Sequence, residues 1–224
     1  MRWSAAKGVA RLAERLPKDF ASQVLETILG LFQIHSLAAA SIYDLPAIAE
    51  STWHGACLAC AEIARRNLIE PEHLHQLIEW LSKVRVVARM NPFSQRILQA
   101  LYFDLRKGAH SIGSNVRDAA SYALWALARS QNHSALIPHA NNLAQRLATV
   151  ALYDREIHIR RAASAAFQEH VGRTVSRTLI FSTWGLTLLQ NLFPHGIDVL
   201  GKTDFYAVSL RRNAFLVAAP QVAK

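Results

Sequence analysis

The stretch Val116 to Arg129, VRDAASYALWALAR, returns 43 residues later as Ile159 to Gly172, IRRAASAAFQEHVG. Both copies open with a β-branched residue, then Arg, one further residue, and Ala-Ala-Ser. Each follows an Ala-Leu-Tyr run with an acid close behind, Asp104 in one case and Asp154 in the other. A period in the low forties belongs to helical repeats, whose units cannot bury their apolar faces alone and must stack on neighbours. Composition agrees. The 224 residues are 51% hydrophobic, with only 9 Gly and 7 Pro, which favours helix over a turn-rich β architecture. The predicted fold class is all-α, an α-solenoid of antiparallel helix pairs.

Helical spacing and breaker residues divide the chain. Arg2 to Arg15 predicts a helix with Arg2, Ala5, Ala6, Val9, Leu12, Ala13 and Leu16 at helical spacing, stopped by Pro17. Lys18 to His35 predicts the next, and Ser36 to Ala49 reads as a loop with its turn at Tyr43-Asp44-Leu45-Pro46. Ser51 is the expected N-cap of a helix over Thr52 to Arg66, ended by Asn67. Pro71 opens a helix through Lys83. The segment 84–99 breaks the pattern at Asn91-Pro92, and helical character resumes from Ile97 to Asp104. Arg106 to Asn115, RKGAHSIGSN, reads as a polar loop. Asn115 is the expected N-cap of the helix to Arg129, with Asp118 completing a capping-box-like pair. Pro138 begins a helix with Leu143, Leu147, Val150 and Ala151 inward. Asp154 caps a helix to Val171, and Gly172 is placed at its left-handed C′ position. Residues 174–192 fit no repeat. A helical stretch over Asp198 to Leu210 and an apolar end, Phe215 to Ala219, follow. The second helices of the four repeats begin near residues 2, 53, 117 and 160, at spacings of 51, 64 and 43. Because the chain starts and stops within repeats, its apolar ends lack caps, and the isolated chain is expected to be marginal or aggregation-prone.

The net charge of +9 and a pI near 10.1 suit nucleic acid, an anionic membrane or an acidic protein surface. The basic residues are scattered in runs of no more than two, unlike a nucleic-acid-binding arm. Cys57 and Cys60, the two cysteines, argue for a reducing compartment without a disulfide framework. The most apolar window, Leu179 to Phe193, is too short and too polar to span a bilayer, which takes ~20 apolar residues. No secretory signal opens the sequence. The chain is expected to be soluble and intracellular.

The second helices, with Asp and Arg near their starts, resemble HEAT/armadillo repeats. Four longer motifs are more specific: HGACLACAEIARRNLI (His54 to Ile69), LYFDLRKGAHSIGSNVRDAASYALWALAR (Leu101 to Arg129), YDREIHIRRAASAAFQEHVGR (Tyr153 to Arg173) and FPHGIDVL (Phe193 to Leu200). All four are similar to the tubulin-folding cofactor D family, over about two thirds of the chain. The chain resembles an internal section of those longer proteins, a single HEAT-repeat array over 1–224. Two departures stand out. Residues 174–192 separate motifs that are nearly adjacent in the family, and 84–99 replaces the middle of a helix. Both are candidates for intervening sequence carried into the chain, such as a translated intron.

The resemblance implies a β-tubulin-binding chaperone module of post-chaperonin tubulin folding and αβ-dimer assembly. It also implies GTPase-activating action on tubulin in the complete family protein. The implied partners are β-tubulin, tubulin cofactors C and E and a small Arf-like GTPase, and the implied location is cytoplasmic and cytoskeleton-associated. The alternative is a generic HEAT-repeat scaffold of the transport or phosphatase-adaptor type.

No catalytic, cofactor-binding or metal residue is expected. His54, Cys57 and Cys60 form H-x-x-C-x-x-C, but a structural zinc site needs four ligands and the chain has no second Cys pair; buried thiols are the simpler reading. His73 and His75, two apart, do not share a helix face. His110 near Ser111 and Ser114 lacks an orienting acid and a nucleophile elbow. No Walker A or G-x-G-x-x-G motif is present, so any effect on GTP hydrolysis would act at the partner's site. Asp104, Arg117, Asp154 and Arg160 are expected to form an Asp–Arg ladder between repeats. Arg106, Lys107, His110, Ser111 and Asn115 form the candidate partner-facing loop, since loops on rigid scaffolds carry function disproportionately. Trp3, Trp53, Trp80 and Trp125 are expected in the core rather than as stacking platforms for RNA, for which no interleaved aromatic and basic pattern is evident.

Overall fold

A computed structural model describes residues 1–39, 45–82, 85–86, 97–107, 110–181, 199–200, 203–205 and 207–222. Side chains are described at 1–33, 48–82, 99–105, 112–173, 199–200, 203–205 and 207–222. The chain divides into two units, Met1–Ser130 and Gln131–Lys224.

In the first unit, helices α1 (Arg2–Ala13), α3 (Leu45–Arg65) and α5 (Ser114–Ser130) pack side by side, and α2 (Lys18–Ala39) and α4 (Pro71–Ser82) back them. This is the antiparallel-pair arrangement the repeats predict, and the chain is an all-α solenoid protein by class. Its core is aromatic. Phe32, Trp53, Trp80 and Phe103 are all buried. Trp53 meets Phe32 edge-on at 5.1 Å, Trp80 edge-on at 5.9 Å and Phe103 at 5.1 Å between centroids. Such pairs add about 0.5–1.5 kcal/mol each beyond area burial. Trp53 and Trp80 are therefore core residues. Trp3 is not: it is 52% exposed. The inward face of α1 is Ala6, Ala10 and Ala13, whereas Val9, Leu12 and Leu16 are exposed. Small residues let α1 approach α3 closely, and that selects an alanine face over the larger aliphatic one.

Several predicted boundaries move. Helix α2 extends through Ala39 and α3 begins at Leu45, so much of the expected loop is helical. Pro46 occupies the first turn of α3, where the missing N–H costs nothing. Ser51 accordingly lies inside α3 and not at its cap. Asn67 does end the helix, at φ 57°, with its N–H on Ala64 O and that of Leu68 on Ile63 O, a left-handed closure.

After α4, Arg85–Val86 (β1) pairs antiparallel with Ile97–Leu98 (β2), so helix does not resume at Ile97. A single 3-10 turn follows at Ala100–Tyr102. Residues 87–96 lie outside the described residues. The expected polar loop is a hairpin: Leu105–Lys107 (β3) pairs with His110–Ile112 (β4), in register Leu105↔Ile112 and Lys107↔His110.

In the second unit, α6 (His133–Leu136) and a 3-10 turn at Ile137–His139 precede α7 (Ala140–Tyr153), and α7 packs on α8 (Ile157–Phe181). Leu143, Leu147, Val150 and Ala151 are buried, as their spacing predicts. Gly172 does not terminate α8, which runs on to Phe181. Nothing lies within 4 Å of a Cβ built at Gly172 and its φ is not positive, so the position makes no demand for glycine. Residues 182–198 lie outside the described residues. Beyond them, Ala207–Ser209 is a 3-10 turn rather than α-helix, and helix forms at Arg211–Asn213, with a π turn at Ala214–Ala218.

Candidate protein-binding surface

The two sequence repeats superimpose in burial as well as in letters. Val116 and Ile159 are fully buried, Arg117 and Arg160 are 4% and 2% exposed, and Ser121 and Ser164 are buried one turn on. A buried guanidinium needs acceptors, and both arginines find backbone carbonyls. Arg117 Nη1 donates to Phe103 O at 2.9 Å. Arg160 donates to Val208 O at 2.6 Å, Asp154 O at 2.8 Å, Ser209 O at 3.0 Å and Arg155 O at 3.1 Å. Burial holds the Arg160 guanidinium below its ordinary pKa, against the opposing pull of Asp154. Asp154 also accepts the Glu156 N–H through its carboxylate at 2.9 Å, so it sits two residues before that N–H and three before the start of α8. Asp104, the acid of the other copy, is exposed.

Four of the five partner-facing candidates fall in the β3–β4 hairpin, with Lys107 and His110 as its pair farthest from the base. The backbones of Arg106, Lys107, His110 and Ser111 belong to its strands, and their side chains lie outside the described residues. Gly113 joins the hairpin to α5 at φ +122°, with Phe103 O 2.3 Å from where its Cβ would be. Only glycine fits. Phe103 thus touches Gly113 with the same carbonyl that receives Arg117. Asn115 is inside α5 rather than capping it, and its amide donates to Glu50 Oε1 at 3.3 Å.

The outer surface of the α1–α3–α5 row carries a network that sequence reasoning did not assemble. Glu62, only 1% exposed, sits at its centre on α3. It accepts from Tyr122 Oη at 2.8 Å, Arg66 Nη1 at 3.1 Å, Arg65 Nη1 at 3.2 Å and Trp3 Nε1 at 3.4 Å. Burial pushes the Glu62 carboxyl up, but the Tyr122 hydroxyl, Arg66, Arg65 and Trp3 outweigh it and hold its pKa below the ordinary value. Arg65 also donates to Tyr122 Oη at 3.0 Å. Tyr122 stacks on Trp125 at 6.0 Å, and Arg129 lies 4.8 Å over the Trp125 ring. On α1, Lys7 lies 3.5 Å over Trp3. Further along the row, Arg2 binds Ser51 Oγ at 2.9 Å and His54 Nδ1 at 3.1 Å. The result is a band of aromatic rings and cations across three parallel helices. Tyr122, Trp125 and Arg129 at i, i+3 and i+7 on the polar side of α5 were the available signal.

Cys57 and Cys60 are fully buried. Burial raises the Cys57 thiol well above its ordinary pKa and pushes Cys60 up to about 12, so neither is poised as a thiolate ligand. His54, lowered by burial and by Arg2, faces the Arg2 network instead. A separate group, Glu70, Glu72 and His73, brings three donor atoms within 4.8 Å of one another. His73 there contacts Glu26 at 3.3 Å and Ser22 at 3.4 Å. The acids flank the first turn of α4, where the helix dipole favours them without any ion.

Comparison with known proteins follows the same lines. The family model of "Tubulin-specific chaperone D-like, ARM repeats" matches residues 1–178. The chain is 38% identical over 216 residues to the "Tubulin-specific chaperone D" of Dictyostelium discoideum, covering 96% of this chain and 12% of that protein. It is 32% identical over 220 residues to the "Tubulin-folding cofactor D" of Schizosaccharomyces pombe, covering 96% of this chain and 17% of that one. The chain thus spans less than a fifth of the length of either relative. No solved structure matches significantly. Among the described residues no helix is long and apolar enough to cross a membrane.

Proposed function

The chain belongs to the tubulin-specific chaperone D-like family of ARM-repeat proteins, and from that premise we propose that it is a β-tubulin-binding module of a tubulin-folding cofactor. The observation that carries this reading is the family match across residues 1–178. It includes the whole α1–α3–α5 row and both repeat arginines. In this reading the module holds tubulin during folding and αβ-dimer assembly in the cytoplasm, associated with the cytoskeleton. It works there with cofactors C and E and a small Arf-like GTPase. It acts by binding and not by turnover. GTPase activation belongs to the complete family protein and operates on nucleotide held by tubulin.

Several residue assignments are part of the proposal. The hairpin residues Arg106, Lys107, His110 and Ser111, with Asn115, face the partner. Asp104, Arg117, Asp154 and Arg160 tie the repeats together. Residues 1–224 form one array, with 84–99 and 174–192 intervening sequence; a spliced transcript lacking both segments supports this, and one containing both refutes it.

Co-precipitation of β-tubulin from cytosol by the full chain tests the function. Enrichment over an unrelated α-solenoid is expected. Equal recovery by the two overturns the reading, and selective, strong capture of a non-tubulin partner favours a general scaffold.

A further inference from the structure

We propose that the outer face of the α1–α3–α5 row, from Trp3 and Lys7 across Arg65 and Tyr122 to Trp125 and Arg129, is a docking surface for an acidic, extended peptide segment of a partner protein. The inference names a surface and a ligand chemistry, and it holds whichever protein supplies the segment.

The contacts across the row are continuous. Trp3 from α1 and Tyr122 from α5 both donate to Glu62 Oε1, and Trp125 extends the line by stacking on Tyr122. Cations stand along the band: Lys7 over Trp3 and Arg129 over Trp125, Arg65 with its side chain 46% exposed, and exposed Arg11. The central acid, Glu62, is buried beneath these groups and already takes four donors, so the charge presented outward is positive. Within a chain of net charge +9, this face offers complementarity to carboxylates, which governs encounter and register at interfaces. Two interhelix steps of about 10 Å separate α1 from α5. At about 3.3 Å per residue an extended strand of roughly six residues spans them.

A peptide fits better than a nucleic acid. The rings of Trp3 and Trp125 are covered by cations, whereas base stacking needs open aromatic faces. Glu14 on α1, ion-paired to Arg66 at 3.3 Å, and Glu50 and Asp118 further along the row interrupt any uniform track for a phosphate backbone. Side chains that alternate along an extended strand avoid such interruptions.

The test uses the full chain and a fluorescein-labelled deca-glutamate peptide, read by anisotropy at low and at moderate salt. Saturable, salt-sensitive binding is expected, weakened at least tenfold by Lys7→Glu with Arg129→Glu. The control Lys18→Glu with Arg212→Glu makes the same change in net charge at other exposed positions and is expected to leave affinity within twofold. Equal weakening by the two double variants, or no binding by the unaltered chain, overturns the proposal. A second readout needs no variant. Acetylation of lysines by a soluble active ester, mapped by mass spectrometry, should be suppressed by the peptide at Lys7 and not at Lys18; equal labelling at both refutes the surface. Competition by oligothymidylate at the same concentration as the peptide would overturn the assignment to a peptide.

Discussion

Replacing Tyr122 with Phe removes one oxygen and nothing else. That oxygen donates to the buried Glu62 carboxylate at 2.8 Å and accepts from Arg65 at 3.0 Å. A hydrogen bond to a charged group contributes about 1.5–3 kcal/mol. Tyr122 is only half-buried, so water can partly replace it, and about 1–2 kcal/mol of destabilisation at neutral pH is expected. With a urea slope of about 2 kcal/mol/M, the unfolding midpoint falls by roughly 0.5–1 M. The pH dependence is the sharper half of the experiment. Glu62 has a folded pKa below its unfolded value, near 4.5. Its contribution is therefore complete above pH 4.5 and is lost as pH falls through the folded value. Without the Tyr122 hydroxyl, burial is less well opposed and the folded pKa rises. Acid destabilisation should then begin at higher pH in Tyr122→Phe, and the gap between the two proteins should narrow as pH falls and the carboxyl becomes protonated in both. Urea titrations monitored by circular dichroism at pH 7, 5 and 3 measure this. A midpoint shift below about 0.1 M at pH 7, or a gap that does not narrow in acid, refutes the assignment of Glu62 as an ionised hub.

Three further expectations concern single residues. Arg160→Met strands the carbonyls of Asp154, Arg155, Val208 and Ser209 and should cost about 3 kcal/mol, with residues 207–222 becoming the first site of limited proteolysis; unchanged protection there contradicts the assignment. Gly113→Ala forces a Cβ against Phe103 O at a backbone angle L-residues avoid, and should cost at least about 2 kcal/mol in chemical denaturation. Gly172→Ala should stabilise by roughly 0.5–1 kcal/mol, because Gly172 lies within α8; a loss of stability would restore the helix-terminus reading.

The repeat was legible because burial imposes it on sequence. Val116 and Ile159, Arg117 and Arg160, and Ser121 and Ser164 are each confined by the same environment, so they recur as letters. The aromatic core was half legible: Trp53 and Trp80 sit on apolar stripes, but Trp3 does so by sequence alone, and nothing in its spacing shows that alanines would win the contact with α3. Errors at helix ends share one cause. Pro46, Ser51, Asn115 and Gly172 are each at home at a terminus and tolerated inside a first turn or an interior, so local chemistry could not choose. The hairpin was in principle readable, since Gly108-Ala109 joins two three-residue runs, but the runs are too short and too polar to compete with a loop. Tyr122, Trp125 and Arg129 share one side of α5, but the centre of the network at Glu62 was out of reach. Its members, Trp3, Glu62, Arg65 and Tyr122, come from three helices, and no single stretch carries the pattern.

The bonds from Arg160 to Val208 and Ser209 join residues 48 and 49 positions apart, and this separation has a meaning during synthesis. At about 5–20 residues per second, a ribosome that has just made Arg160 needs roughly 2–10 s before the Val208 and Ser209 carbonyls are polymerised. Throughout that interval the arginine's helix face has water where its final neighbours will be. The second unit therefore cannot close as its own helices appear. Its completion waits on its last segment, and a nascent chain paused between the two is an open substrate for chaperones and proteases.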